Sequence, residues 1–174
     1  MLDDFDFIQL IETERLVLRR PITDDVAAIH SIHSDPQTNL YNPSGPLKSI
    51  QESEQLFAEF DSHWKLHGFG YWAVKDKGND QVVGIGGIVT KIVEQESVLN
   101  LYYRFSPRVW GVGLAREMAV ASIDHIKRIC PGTPIVAVIN VLNLPSIKVA
   151  ERIGMVRKRE IIEKVQSWLY VLPY

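Results

Sequence analysis

Three strand-like segments follow one another closely in the middle of this chain: GYWAVKD (70–76), VVGIGGIVTKIV (82–93) and SVLNLYYRF (97–105). Each is apolar and rich in β-branched or aromatic residues. Connections as short as 77–81 and 94–96 leave room only for hairpins, so the three must pair as an antiparallel meander. The next strand, PIVAVIN (134–140), comes only after a helical stretch, and a crossover of that kind makes its flanking strands parallel. The chain is thereby held to a mixed sheet, mostly antiparallel, with one parallel pair.

The remaining segments fit around that sheet. RLVLRR (15–20) reads as a strand that Pro21 stops. Thr23, followed by Asp24 and Asp25, reads as a hydroxyl cap with acids at the positive end of a helix running to Ser34. Asn, Pro, Ser and Gly make 39–46 a loop. Leu56, Phe60 and Trp64 stand four apart and predict a helix over 50–67. A further helix carries Ala115, Ala119, Ser122, Ile126 and Ile129 on one stripe, and Pro145 and Gly154 bracket a short one. Strands at 156–163 and 166–172 close the chain. With no repeat or linker, 1–174 reads as a single α/β (α+β) domain with helices flanking the sheet.

Bulk properties exclude several function classes. Lys+Arg number 19 and Asp+Glu 21, a formal net charge of −2, which argues against direct nucleic-acid binding. Cys130 is the one cysteine, so no intrachain disulfide can form. The opening MLDDFDFIQL carries acids where a secretory leader carries lysines, and no apolar run approaches a membrane span. A cytoplasmic protein that does not engage membranes is expected. The five histidines, at 30, 33, 63, 67 and 125, show no metal-ligand pattern with a neighbouring cysteine, and no metal is expected.

The chemistry-bearing stretch is RVWGVGLARE (108–117). Its glycines either permit a turn or let phosphates approach the backbone at the start of a helix, where unpaired N–H groups and the dipole favour an anion. A dinucleotide fingerprint fails, because position 116 is Arg116 and the next strand ends at Asn140 rather than an acid. A Walker loop fails for want of Gly-Lys-Ser/Thr. Arg108, Gly111, Gly113 and Ala115 do match Arg-x-x-Gly-x-Gly-x-Ala, and NLPSIKVAERIGM (143–155) supplies Asn143, Ser146, Gly154 and Met155 further on. Together these resemble the GCN5-related N-acetyltransferase (GNAT) superfamily. TERLVLRRP, GYWAV and Trp110-Gly111 are similar to its ribosomal-protein N-terminal acetyltransferase (RimJ/RimL-like) branch; the likeness covers about 13–172.

That resemblance implies the fold, the cosubstrate and the site. Acetyl-CoA would lie with its pyrophosphate on Arg108, Val109, Trp110, Gly111, Val112, Gly113, Leu114 and Ala115. Its pantetheine arm would pair with backbone between strands that splay beyond Phe105 and Asn140; Pro107 and Pro134, each lacking a ladder donor, are compatible with the gap. The Phe105 N–H would meet the thioester oxygen as it becomes an oxyanion, and Asn143 and Ser146 would flank the thiol end. The family's usual acid, a tyrosine seven residues after the motif asparagine, is replaced by Ala150, which leaves Ser146 as the general-acid candidate against a helix-start role. No glutamate stands mid-strand in 97–105, where Asn100 is the polar interruption; Glu94 and Glu96 read as hairpin charges, and the base is unassigned. Cys130 reads as packing rather than an acyl carrier, and Trp64, Trp72 and Trp110 as core. Trp72 and Tyr71 are also candidates for a pocket wall. Arg157, Lys158 and Arg159 read as a solvated strand, with a ribosome or ribose-phosphate contact as the alternative. The expected reaction is direct acetyl transfer to a primary amine, on a protein N-terminus or a small molecule; a non-catalytic acyl-CoA-binding module is the rival, and a homodimer is left open.

Overall fold

A computed structural model describes residues 10–162 and 164–173. The acid-rich opening that argued against a leader lies largely outside the described residues. The first strands are β1 (Leu10–Glu12) and β2 (Leu16–Arg19), and helices α1 (Val26–Ser34) and α2 (Ile50–His67) follow. The meander is β3 (Tyr71–Asp76), β4 (Gln81–Val93) and β5 (Glu96–Phe105). Then come α3 (Leu114–Ile129), β6 (Ile135–Asn140), α4 (Leu144–Arg152), β7 (Val156–Ile162) and β8 (Gln166–Val171). The strands form one sheet in the order β1-β2-β3-β4-β5-β6-β8-β7, with every pair antiparallel except β5–β6. The short β1 carries no alternation long enough to read in sequence.

The meander explains two of the three glycines of β4. A Cβ on Gly84 would stand 2.5 Å from the Phe105 ring, and one on Gly86 would stand 2.6 Å from Tyr103 Cβ and 2.8 Å from Met118 Cε. Glycine there lets large side chains of β5 and α3 lie flat on β4. Glu94 and Gln95, at φ 47° and 73°, turn the β4–β5 hairpin, the geometry a two-residue turn needs.

The parallel pair is short. Only Leu99↔Ile135 and Asn100↔Val136 are in register, after which β5 and β6 part. The prolines do not cause this. Pro134 sits at the closed end, where its carbonyl accepts from the Leu99 N–H at 3.0 Å, and Pro107 lies beyond the strand in a 3-10 turn.

Alternation along β5 sends Leu99, Leu101 and Phe105 to the side covered by α3 and α4, in the clusters with Ala119, Ile123, Met118 and Ala150. Tyr102 is on the opposite side, beside Tyr71 and His33 of the α1–α2 layer. Two helix details differ from expectation. Thr23 makes no cap: Thr23–Asp25 is a 3-10 turn, Asp25 accepts the Ile22 N–H, and its carboxylate is held bidentately by Arg19 at 2.7 Å. The buried stripe of α3 runs from Leu114 to Ile126, leaving Ile129 41% exposed while Cys130 beside it packs against the core.

Candidate active site

Between the parting strands and the start of α3 runs a groove of about 1330 Å³. At one end is the glycine loop. Gly111 and Gly113 have φ of +81° and +86°, which strongly favours glycine. A Cβ would meet nothing within 4 Å at Gly111 and only Arg15 Nη2, at 3.6 Å, at Gly113, so the space over the loop is open. Gly113 caps α3, whose first turn presents unpaired N–H groups, and Arg116 lines the groove beside it. This cradle suits a pyrophosphate.

The loop is braced from far away in the chain. Arg15 Nη1 donates to the Val112 carbonyl at 2.7 Å, while its Nε and backbone N–H both donate to Glu117. Thr13 Oγ1 adds a third bond to that carboxylate at 2.6 Å. Burial pushes the Glu117 carboxyl up, but the Thr13 and Arg15 bonds outweigh it and hold the group below its ordinary value. The Trp110 indole donates to the Phe105 carbonyl at 2.9 Å and is 48% exposed, so it pins the loop to the strand end instead of joining the core. Arg108 lines an adjoining cleft with Glu14, Asp76 and Lys77, which shares Arg15, Val109, Val112 and Leu114 with the groove.

Inside the groove the backbone matters as much as the side chains. The Leu99 N–H crosses to Pro134, so by the two-residue period the N–H groups of Leu101, Tyr103 and Phe105 face the gap. Asn143 caps α4, its Oδ1 accepting from the Ser146 N–H at 3.2 Å. The Ser146 hydroxyl therefore has no capping duty. It lies near the Tyr103 hydroxyl, close enough to be felt electrostatically though the pair falls short of a hydrogen bond by geometry. Burial pushes the Tyr103 phenol up to about 12. Sequence reasoning missed Tyr103, because only the fold shows that a strand residue reaches α4. Ala150 is buried in the core between α3 and α4.

A different chemistry occupies the far side of the gap. His33 Nδ1 lies 2.9 Å from the Ile29 carbonyl, which can only accept, so Nε2 is the free acceptor, 3.4 Å from the Tyr102 hydroxyl. Burial, then the Arg104 charge, lowers its pKa to about 4 and keeps it neutral. Arg104 Nη1 donates to Asn39 Oδ1 at 2.8 Å. Asn39, at the start of the segment read as a loop, is buried, and its amide also ties the His33 and Asp35 carbonyls. Asn140 reaches the Tyr41 carbonyl, linking this loop to the end of β6.

A family model described as an acetyltransferase (GNAT) domain matches residues 15–156. The chain belongs to the GNAT acetyltransferases. It is 32% identical over 144 residues to the uncharacterized protein YkkB of Bacillus subtilis (strain 168), covering 82% of this chain and 83% of that one. The acetyltransferase from Agrobacterium tumefaciens str. C58 superposes with a TM-score of 0.82 at 23% identity, over 96% of this chain and 95% of that one. The ribosomal-protein-S5-alanine acetyltransferase from Vibrio fischeri superposes at 0.74 with 18% identity, over 93% and 94%. At those identities the likeness is one of fold.

As a GNAT acetyltransferase the chain draws on a family that uses acetyl-CoA, and the remaining residues take their places accordingly. Cys130 does not line the groove; it closes α3 half-buried, and burial raises its thiol pKa. Glu94 pairs with Arg159, and Arg157 lies over the Trp168 ring at 4.6 Å, so both arginines are engaged within the chain. Trp64 and Trp72 are core, and Tyr71 packs on Tyr102 behind the groove wall. Among the described residues no cluster of ligating side chains could hold a metal, and no helix is long and apolar enough to cross a membrane.

Proposed function

We propose that this acetyltransferase passes acetyl from acetyl-CoA directly to a primary amine. The observation that carries the reading is the continuity of the groove, from the glycine cradle through the gap between β5 and β6 to the 37–43 loop. One opening admits a long anionic thioester and the other an amine, so the reactants meet without a covalent relay on the protein. The parting strands offer N–H groups at Phe105 and Tyr103 to the arm and its carbonyl. A pantetheine arm spans several residues of extended chain, so its thioester lies deeper than the strand end. We therefore assign the oxyanion to this N–H row, which runs from Leu101 at its inner end through Tyr103 to Phe105 at its outer end.

Chemistry then needs two proton movements. The amine must arrive neutral, and an α-amino group with a pKa near ~8 does so more readily than a lysine near ~10.4. As the nitrogen bonds to the carbonyl carbon it loses a proton to solvent on the Tyr102 side of the gap; His33 behind Tyr102 stays neutral, and no side chain is assigned as the base. As the carbon–sulfur bond breaks, the thiolate takes a proton from the Ser146 hydroxyl, with Tyr103 behind it. Release of CoA thiol that requires both acetyl-CoA and an added amine tests the proposal. Tight acetyl-CoA binding with no amine-dependent release would favour an acyl-CoA-binding module instead.

A further inference from the structure

We infer that the acceptor is an amine bearing a carboxylate a few bonds from its nitrogen, read by the guanidinium of Arg104; this rests on the acetyl-transfer reading above. The acceptor side of the groove is lined by Gln37, Thr38, Tyr41, Asn42, Tyr102 and Arg104. Arg104 is the one ionised group in that set. The acids that line the groove, Glu117 and Asp124, both belong to α3 at the cofactor side, and Glu117 is engaged by Thr13 and Arg15. Uncharged amides, Asn42 and Asn140, line this end of the groove, with Asn39 buried as the partner of Arg104. A polyamine would find nothing here to pair its second charge, and would meet Arg104 in a confined space.

Arg104 is also prepared for a ligand. A guanidinium has five N–H donors; among the described residues Arg104 spends one on Asn39 Oδ1 and forms no ion pair. Asn39 is itself fixed by the His33 and Asp35 carbonyls and by Asn42, while the Arg104 plane rests 5.8 Å from the Tyr102 ring centroid. The fork is thus oriented, partly buried and uncompensated, the arrangement that captures a carboxylate through two parallel bonds. One cation among amides suits a single negative charge better than a phosphate dianion. Tyr102, two residues back on the same face of the strand, keeps the carboxylate site next to the proposed proton route, so an amine two or three bonds from the carboxylate falls toward the gap.

The test is a panel read by CoA release: the twenty standard amino acids, their carboxamides and the corresponding decarboxylated amines, with spermidine and tetrapeptide amides beginning with Asp or Ala. Free amino acids are expected to exceed their own carboxamides and decarboxylated amines by tenfold or more in kcat/KM. Preference for the Asp-led tetrapeptide amide over the Ala-led one and over all free amino acids would place the carboxylate on a peptide side chain, with the same reader. Arg104→Gln should raise KM for the carboxylate substrate roughly 10- to 100-fold with little change in kcat, and should raise KM for the carboxamide by at least several-fold less. Arg104→Lys, which keeps charge and loses the fork, should fall between, and unchanged melting of both variants confirms an intact fold. Faster acetylation of spermidine or of decarboxylated amines, or equal losses on both substrates in Arg104→Gln, overturns the inference while leaving acetyl transfer standing. No release with any amine, in a preparation that binds acetyl-CoA, overturns acetyl transfer and this inference with it.

Discussion

At the scale of single residues, the structure separates groups that hold the fold from groups free to act. Gly113 is needed for its φ of +86° and for the open space over it. Gly113→Val is expected to cost about 1–3 kcal/mol of stability through a β-branched side chain in the left-handed region. It should also abolish acetyl-CoA binding by calorimetry; unchanged affinity would remove the phosphate role. Ser146 is the opposite case. Since Asn143 provides the cap, Ser146→Ala should barely move the melting temperature while lowering saturated turnover about 10²-fold. A lower melting temperature with normal turnover would return Ser146 to a structural role. The motif positions of both residues were legible in the sequence; Tyr103, His33 and Arg104 were not, because their significance comes from partners on α4, α1 and the 37–43 loop that no local spacing reveals.

Elements were legible wherever a period repeats over enough residues. The meander, the crossover helix and the parallel pair follow from alternation, turn residues and connection lengths. What failed was end detail: Ile22 rather than Thr23 precedes the first turn, Ile129 is exposed, and Pro134 closes the strand pair instead of opening it. Such ends depend on tertiary partners, as when Arg19 draws Asp25 inward. The β4 glycines belong to this scale too. Gly86→Ala forces a Cβ against Tyr103 and Met118 and is expected to destabilise by about 1–3 kcal/mol in denaturant unfolding. A neutral result would mean α3 can retreat from the sheet freely. Cys130→Ser, at the far end of α3 from the loop, should keep near-normal turnover in a steady-state assay, since no acyl group passes through it.

For the whole molecule, buried histidines tie stability to pH. His33 has a folded pKa of about 4, below its ordinary 6.5, so between those values the unfolded chain binds a proton that the folded chain refuses. Stability is therefore full above about pH 6.5 and falls as pH drops toward 4, by up to about 3 kcal/mol from this group. His63 and His125, also lowered by burial, act with the same sign. Chemical denaturation across pH 4–8 should show this slope, and His33→Gln should flatten part of it; an unchanged slope would mean His33 titrates normally. The central claim spans the molecule from glycine cradle to acceptor loop: acetyl moves straight from thioester to amine in the gap between β5 and β6. A single turnover with acetyl-labelled acetyl-CoA and excess amine, quenched and resolved by mass spectrometry, tests it most directly. The label is predicted to appear in the amide in step with free CoA thiol, with none on the protein at any time. Label accumulating on the chain before the amide forms would contradict it.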